Sequence, residues 1–276
     1  MKSLSVLPLG VYEKAICLFL SWEEKLSLLR EMGYDFLEVV IDGEEPRINR
    51  LYDNKSAVSL NRAILNTGVP ALSMTLSANR KYPLGSDDEP TRQKGIEVVR
   101  RAVDFALTAG VRIIQIAPYC GGDEWPDALE KYFYASLEQC VAYARERCVT
   151  LSLEAIDTQI MKSNRQVMWA VGKLESPFLQ VYADIGNLNV MSVGEDDLKA
   201  ARGHIVGVHI KDSKPLQPRN VPFGEGTVNF GKCFDILADM GYGGILVAEM
   251  WCNENPEFHQ YLEKANRFIK QALAQY

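Results

Sequence analysis

The sequence predicts a single (β/α)8 TIM barrel, because strand-like runs and helical patterns alternate along its whole length. Eight short runs rich in β-branched residues recur at intervals of roughly 25–40 residues. Most of them are continuously apolar, as is typical of parallel strands buried on both faces. The runs cover residues 7–12, 36–42, 69–76, 111–118, 149–156, 179–185, 204–210 and 244–250.

Helical patterns separate these runs. In the first, Leu26, Leu29 and Met32 recur at helical spacing, and Gly33 predicts the end of the helix. Comparable patterns occupy residues 91–110, 128–147, 229–244 and 255–276. No linker or low-complexity stretch interrupts the alternation, so the sequence predicts one domain over residues 1–276. A doubly wound open sheet is the alternative, but no GxGxxG turn follows the first run.

Charge and cysteine usage narrow the functional class. The net charge of −6 and the pI near 5.3 argue against a general nucleic-acid-binding protein, which usually has a basic face. No segment approaches 18 uninterrupted apolar residues, so we expect no membrane span. The six cysteines are scattered without a CxxC pair, which predicts reduced thiols in a cytoplasmic protein.

Four successive runs carry residues that bind metals. Near its carboxyl end the fifth run carries Glu154, the sixth Asp184, the seventh His209 and the eighth Glu249. Carboxyl ends of barrel strands meet at one face, where active sites of this fold lie. Three converging carboxylates repel each other unless a cation lies among them. The set therefore predicts one divalent cation, with Mn²⁺, Zn²⁺, Co²⁺ and Mg²⁺ all compatible.

The other two histidines have different predicted roles. His204 begins the seventh run and is expected at the opposite rim of the barrel, in a structural role. His259 lies in the last helical segment and is expected at the surface. Only His209 is therefore predicted as a metal ligand.

Several motifs resemble those of a known family. The strand-end segments LEAID, YADIGN, VHIKD and AEMW, together with PLGVYEKA, SANRKYPLGS and NVPFGEGTVNF, are similar to those of the L-ribulose-5-phosphate 3-epimerases. These are sugar-phosphate epimerases of the xylose-isomerase-like barrel superfamily that act in L-ascorbate utilisation. The resemblance spans essentially the whole chain. One departure is Asn79, where close relatives are expected to have histidine in SAHR.

The resemblance implies a reaction and a set of roles. It implies 3-epimerisation of a ketopentose phosphate, with L-xylulose 5-phosphate and L-ribulose 5-phosphate as the two epimers. The family's metal ligands correspond to Glu154, Asp184, His209 and Glu249. A divalent cation would stabilise the enediolate formed when the C3 proton leaves. Glu154 and Glu249, from strands far apart around the barrel, would serve as base and acid on opposite faces.

Two basic clusters compete for the substrate phosphate. Arg80 and Lys81 follow the third run. Lys211, Lys214, Arg219 and Asn220 follow the seventh, beside a GEG sequence, where such barrels often bind phosphate. Asn187 is a candidate for a substrate hydroxyl, and Glu38 either orients a polar group or is a buried structural acid.

Three other functions remain open from the sequence. An aldose–ketose isomerase would share the barrel and the metal and differ in which hydrogen moves. An endonuclease IV-like DNA-repair enzyme would need more histidines than the three present. A non-catalytic sugar-binding module would not need two acid/base carboxylates. Related barrels are often dimers, so the sequence also leaves a homodimer open.

Overall fold

Eight parallel strands close into a barrel in the computed structural model, which describes residues 3–119, 127–252 and 255–276. Each strand pairs with the next along the chain, and the eighth pairs with the first. The strands are β1 (Leu9–Tyr12), β2 (Phe36–Ile41), β3 (Ala71–Leu76), β4 (Ile113–Ile116), β5 (Thr150–Glu154), β6 (Leu179–Asp184), β7 (Ile205–Ile210) and β8 (Ile245–Ala248). The predicted fold class is therefore confirmed.

Helices connect the strands around the outside of the barrel. They are α1 (Trp22–Glu31), α2 (Asn54–Thr67), α3 (Glu89–Ala109), α4 (Asp127–Arg145), α5 (Asn164–Leu174), α6 (Ile185–Val190), α7 (Phe230–Asp239) and α8 (Phe258–Leu273). The sequence patterns had indicated α1, α3, α4, α7 and α8, whereas α2, α5 and the short α6 were missed. Every predicted run contains a strand, but the strands are shorter, as in β4 within the run 111–118.

Local sequence sets several helix ends. Ser21 accepts a hydrogen bond from the Glu24 amide, and the Glu24 carboxylate returns to the Ser21 amide, which is a capping box for α1. Gly110 ends α3 with a φ of 89°, a left-handed conformation that glycine adopts without steric cost. Hydrogen bonds and backbone conformations within a few residues therefore set these two helix ends.

Strand residues alternate between two environments. In β2, Phe36 and Val40 belong to an apolar cluster inside the barrel, with Tyr12 and with Ile245 and Val247 of β8. Their neighbours Leu37, Val39 and Ile41 pack instead in the larger core between the sheet and the helices. This period of two is the ordinary geometry of a strand. It places Glu38 on the inner face.

A glycine makes room for the largest ring inside the barrel. A Cβ atom on Gly207 would overlap the edge of the ring of Tyr182, its partner in the β6–β7 pairing. Tyr182 is fully buried, and its hydroxyl reaches the Glu38 carboxylate at 2.5 Å. The barrel interior below the mouth is thus partly polar, and it is built around one carboxylate.

Two sequence predictions concern the chain outside the site. Among the residues described, no helix is both long and apolar enough to cross a membrane. The five cysteines that the structure describes are free thiols, and Cys120 lies outside the described residues.

Candidate metal centre

Four buried side chains meet at the carboxyl ends of β5 to β8. Glu154, Asp184, His209 and Glu249 each offer one ligand atom, and these atoms all lie within 4.8 Å of one another. Glu154 and Asp184 are the last residues of their strands, His209 is the penultimate residue of β7, and Glu249 directly follows β8. The structure thus brings together the four residues that the strand-end pattern had selected.

Backbone geometry fixes two of these side chains. Asp184 pairs with His209 in the β6–β7 register. Asp184 is also the N-cap of α6, where its Oδ1 accepts a 2.9 Å hydrogen bond from the Asn187 amide. One oxygen of Asp184 therefore orients the carboxylate, and Oδ2 is left to face the site.

A buried carboxylate on the far side of the barrel orients His209. The Nε2 atom of His209 lies 2.5 Å from Glu38 Oε1. The Nδ1 atom lies 3.2 Å from Glu154 Oε1 and 3.7 Å from Glu249 Oε2. An imidazole that donates from Nε2 to a carboxylate presents Nδ1 to a metal, which is the usual outer partner arrangement of metal-binding histidines.

Three hydroxyl groups keep Glu38 in its ionised form. Its Oε2 accepts from Ser73 at 2.6 Å and from Tyr182 at 2.5 Å, and its Oε1 accepts from Thr75 at 3.0 Å. Burial alone would raise the pKa of Glu38, but His209 and the hydroxyl donors lower it below the ordinary value. Glu38, left open by the sequence, is therefore the group that orients the histidine.

Neutral amides surround Glu154. The Gln115 Nε2 donates to Glu154 Oε2 at 2.5 Å, and the Asn187 Nδ2 lies 3.5 Å from Oε1. Burial raises the pKa of Glu154 above its ordinary value, and the nearby His209 only partly offsets this. Gln115 was missed by sequence reasoning, although a glutamine in the middle of the apolar run 111–118 was a visible signal.

A lysine ammonium lies among the carboxylates. Lys211 Nζ is 2.6 Å from Asp184 Oδ2 and 2.9 Å from Glu249 Oε2. Burial alone would lower the pKa of Lys211, but Asp184 and Glu249 raise it above the ordinary value, so the side chain is charged. The sequence had assigned Lys211 to substrate binding, and its position between two candidate metal ligands came from the structure.

The donor set fits a divalent cation. Asp184 Oδ2 and Glu249 Oε2 are buried, and neither accepts a hydrogen bond of normal geometry from the described residues. Three carboxylates and one imidazole nitrogen suit a borderline or hard divalent ion. These four residues could hold such an ion without rearranging the strands.

A cavity of about 290 Å³ opens above the four residues. Its wall combines Tyr12 and Trp251, whose rings meet edge to face at 5.6 Å, with charged groups from several loops. The basic side chains that line it are Lys14, Arg80, Lys81, Lys211 and Arg219. Asn187, the candidate for a substrate hydroxyl, also lines the cavity, whereas Lys214 and Asn220 of the basic cluster after β7 do not. Lys14 was not singled out from the sequence.

The basic groups at the mouth already have partners in the protein. The Arg80 guanidinium lies over the Tyr119 ring, 4.5 Å from its centre, and donates to the Tyr119 hydroxyl. Lys81 Nζ donates to the Gly43 carbonyl at 3.1 Å. Arg219 lies 5.2 Å from the centre of the Trp251 ring. Aromatic and carbonyl contacts hold these cations in place without neutralising them, except where Lys81 also approaches Glu44 at 3.6 Å.

Asn79 does not line the cavity. It is buried, and its Nδ2 donates to the Tyr82 carbonyl at 3.1 Å within the turn that carries Arg80. The departure from SAHR therefore affects the support of this turn. Of the other histidines, His204 hydrogen-bonds Gln180 at 3.1 Å just before β7, and His259 is exposed on α8, as predicted.

Comparison with known proteins defines the class of protein. The chain belongs to the xylose isomerase-like TIM barrel family, whose model matches residues 26–272. Curated relatives include the L-ribulose-5-phosphate 3-epimerases UlaE of Escherichia coli (strain SMS-3-5 / SECEC) and of Shigella boydii serotype 18. Each is 38% identical over 271 residues, which is 97% of this chain and 95% of the relative. The resemblance seen in the motifs is thereby confirmed, and so is the prediction of an enzyme of the sugar epimerase class.

Solved structures agree on the fold. An L-ribulose 3-epimerase superposes with a TM-score of 0.84 at 18% identity, covering 98% of this chain and 95% of its own. The IOLI protein with a bound zinc atom superposes with a TM-score of 0.76 at 16% identity, covering 98% and 99%. At these identities the likeness concerns the barrel architecture alone.

Proposed function

We propose that the protein is a metal-dependent 3-epimerase of a ketopentose 5-phosphate, interconverting L-xylulose 5-phosphate and L-ribulose 5-phosphate. One observation carries the proposal: two glutamates from β5 and β8 meet within 4.8 Å of Asp184 and His209 at the floor of a polar cavity. The 38% identity to L-ribulose-5-phosphate 3-epimerases supports the choice of substrate.

The reaction needs two groups that move protons on opposite faces of C3. A divalent cation held by Glu154, Asp184, His209 and Glu249 would act as a Lewis acid toward the ketone and its neighbouring hydroxyl. Glu154 and Glu249 come from strands separated by β6 and β7, so their carboxylates approach a substrate from different sides. One takes the C3 proton from one face while the other returns a proton to the opposite face.

The two glutamates have different supports. Gln115 and Asn187 hold Glu154 through amide groups, whereas Lys211 pairs with Glu249 as a charged partner. Burial raises the pKa of Glu154 and so favours its protonated form. We therefore infer that Glu154 begins as the acid and that Glu249, on the other side of the site, takes the proton from C3.

The phosphate would bind at the loops that follow β1 to β3. Arg80 and Lys81 line the cavity here, and Lys14 adds a third cation, although it pairs with Asp42 at 2.7 Å. Arg219 approaches from the opposite wall beside Trp251. Each charge-assisted hydrogen bond to phosphate contributes about 1.5–3 kcal/mol.

The glycine loop after β7 is less suited to phosphate than its sequence suggested. The buried Asp212 carboxylate accepts hydrogen bonds from the amides of Ser213, Gly224 and Gly226, each at 2.9 Å, and approaches the Val228 amide at 3.4 Å. These amides are the donors that an anion would use. Because the Asp212 carboxylate already holds these amides, a phosphate fits better at the Arg80–Lys81 side.

The proposal is tested by following hydrogen exchange at C3. Protein loaded with Mn²⁺ is incubated with L-xylulose 5-phosphate in D₂O, and NMR follows both epimers. The product should gain deuterium at C3, and recovered substrate should gain little if each glutamate serves one face. An aldose product with no C3 epimer would instead identify an aldose–ketose isomerase.

Carboxylate-to-amide variants assign the two bases. Glu154→Gln and Glu249→Gln should each lower epimerisation by about 10²–10⁴-fold, the usual loss for a positioned acid or base. Glu263→Gln on the outer face of α8 is the matched control, because Glu263 is exposed and pairs with the exposed Arg267. A variant of either site glutamate that keeps its metal and epimerises at the native rate would rule out the two-glutamate mechanism.

A second comparison tests the phosphate. The 5-phosphate should exceed the free ketopentose in kcat/KM by about 10- to 150-fold for one contact. Arg80→Met should remove most of that preference while changing turnover of the free sugar little. Equal kcat/KM for the two sugars would refute a phosphorylated substrate. Cytoplasmic location and a homodimer stay predictions from the sequence.

A further inference from the structure

Lys211 occupies an unusual place beside the candidate metal ligands. Its ammonium contacts the two carboxylate oxygens, Asp184 Oδ2 at 2.6 Å and Glu249 Oε2 at 2.9 Å, that accept no hydrogen bond of normal geometry from the described residues. A metal bound to these carboxylates would need the same oxygens or would lie directly beside the ammonium. The lysine and the cation therefore compete for one pair of anions.

The side chain is packed so that it cannot swing away. Lys211 is 5% exposed. A Cβ atom on Gly186 would overlap the Lys211 side chain at Cγ, so the stem packs against the backbone of α6. The ammonium also lies 5.5 Å from the centre of the Trp251 ring. This packing holds the ammonium beside Asp184 and Glu249 and leaves the side chain little room to move away.

The charges of the neighbouring groups indicate a role for the lysine. When all three are ionised, the carboxylates of Glu154, Asp184 and Glu249 carry −3, and a divalent cation supplies +2. Lys211 adds +1 beside Asp184 and Glu249, so it competes with the cation for the negative charge of these two ligands. In the metal-free protein the ammonium, together with His209, offsets the repulsion among the buried carboxylates.

We propose that Lys211 is a built-in counter-cation of the metal site, which stabilises the metal-free protein and weakens the binding of the divalent cation. The inference rests on the proposed metal site and adds a device that sets its affinity. Two positive charges a few ångströms apart in a poorly solvated site repel strongly, so removing one favours the other. The site consequently binds its cation more weakly than three carboxylate ligands and an imidazole would without the lysine.

Metal affinity measured without substrate tests this inference. Wild-type, Lys211→Met and Lys211→Gln proteins are stripped with chelator and titrated with Mn²⁺ and with Co²⁺ by calorimetry at one pH and ionic strength. Both variants should bind each ion more tightly, on the order of tenfold or more. Their metal-free forms should melt at lower temperature than the wild type, and their metal-loaded forms should gain more in melting temperature on loading.

Lys14→Met is the matched control. Lys14 is a partly buried lysine of the same cavity, but it pairs with Asp42 and touches none of the four candidate ligands. Its substitution should leave both metal affinities within about twofold of the wild type, since a partly exposed charge is screened by solvent.

The outcomes separate this inference from the proposed function. Failure of the wild type to bind Mn²⁺ or Co²⁺ would overturn the metal site itself, and with it the proposed chemistry. Normal binding by the wild type with equal or weaker binding by both Lys211 variants would overturn only the inference, since the lysine would then orient the ligands. If Lys211→Met does not fold without metal, two measurements replace its titration. One is the titration of Lys211→Gln, and the other is the rate at which a chelator removes metal from loaded Lys211→Met. Release slower than from the wild type supports the proposal, and equal or faster release overturns it.

Discussion

Two buried ionic clusters lie at the mouth end of this barrel, and they differ in the balance between cations and carboxylates. The anchor cluster consists of Glu13, Lys25 and Arg50. The mouth cluster consists of Glu38, Glu154, Asp184, His209, Lys211 and Glu249. The first has more cations than carboxylates, and the second has four carboxylates against one lysine and one histidine.

The anchor cluster satisfies its carboxylate completely. Glu13 Oε1 accepts from Lys25 at 2.6 Å and from Arg50 at 2.8 Å, and Oε2 accepts from Arg50 at 2.8 Å and from the Val40 amide at 2.9 Å. Both cations also lie over the Trp22 ring. Such a cluster joins the turn after β1 to β2 and α1, and its carboxylate is balanced by the two cations.

The mouth cluster leaves charge and hydrogen-bonding capacity unsatisfied. Two of its buried carboxylate oxygens accept no hydrogen bond of normal geometry from the residues described. The position of the chain contributes to the difference, because Tyr12 faces the barrel interior at the end of β1, whereas Glu13 begins the turn after it and pairs with Lys25 of α1. In this protein, a buried carboxylate therefore indicates a ligand site where neighbouring cations do not balance its negative charge.

Removing the anchor carboxylate should have the largest effect on stability. Glu13→Gln leaves Lys25 and part of Arg50 buried without a counter-charge, which costs about 3–5 kcal/mol of unfolding free energy. Urea unfolding measures it, with Glu263→Gln as a surface control expected to lose less than about 1 kcal/mol. Equal losses in the two variants would mean that the anchor cluster is energetically no different from a surface pair.

Acid should remove the free energy of unfolding that the anchor cluster contributes. Burial would raise the pKa of Glu13, but Arg50 and Lys25 hold it well below the ordinary value. Its contribution is therefore complete above the pKa of an unfolded glutamate, about 4.3, and is lost as the pH falls toward the folded value. The stability difference between wild type and Glu13→Gln should shrink by about 2–3 kcal/mol between pH 7 and strongly acidic pH. A difference that stays constant across urea titrations at several pH values would contradict this.

Disturbing the support of the mouth cluster should have an intermediate effect. Glu38→Gln keeps the shape but weakens the partner of His209 Nε2, and loss of such an outer partner typically lowers metal affinity 10–100-fold. Calorimetric titration with Mn²⁺ provides the measurement, with melting temperature as the check on folding. Unchanged affinity in a folded variant would show that the barrel alone fixes the imidazole.

The smallest predicted effect has the opposite sign from the first. In metal-free protein at neutral pH, Glu154→Gln should raise the unfolding free energy by about 1 kcal/mol, because burial raises the pKa of Glu154 and its ionised form is costly. The same substitution at Glu13 destabilises. Urea unfolding of chelator-treated proteins compares them directly, and a loss at Glu154 as large as that at Glu13 would remove the distinction between the two clusters.

Local patterns in the sequence were sufficient for the barrel and for the four strand-end residues. Eight apolar runs required eight buried strands, and closure of a parallel barrel brings all strand ends to one face. Glu154, Asp184, His209 and Glu249 could be selected because each lies near the carboxyl end of its run. Helices α2 and α5 were not predicted, because small or polar residues form much of their buried faces and weaken the apolar periodicity.

Contacts across the barrel could not be derived from the sequence. Glu38 and His209 are 171 positions apart, and Tyr182 reaches Glu38 over 144 positions. Gln115 was visible as a polar residue in an apolar run, but its partner Glu154 was not. The glycine loop after β7 was misleading for a physical reason, since only the folded chain shows that Asp212 takes its amides.

The sequence by itself determined the order of strands, the face on which chemistry collects and the types of ligand available there, because these depend on periodicity and on position within a strand. The tertiary structure alone decided which carboxylates are balanced and which are not. That balance depends on distances between residues far apart in the chain, and in a poorly solvated interior a few ångströms separate a structural ion pair from a site that favours a cation. Lys211 illustrates the difference: the sequence shows a lysine near a strand end, and the fold places it between Asp184 and Glu249.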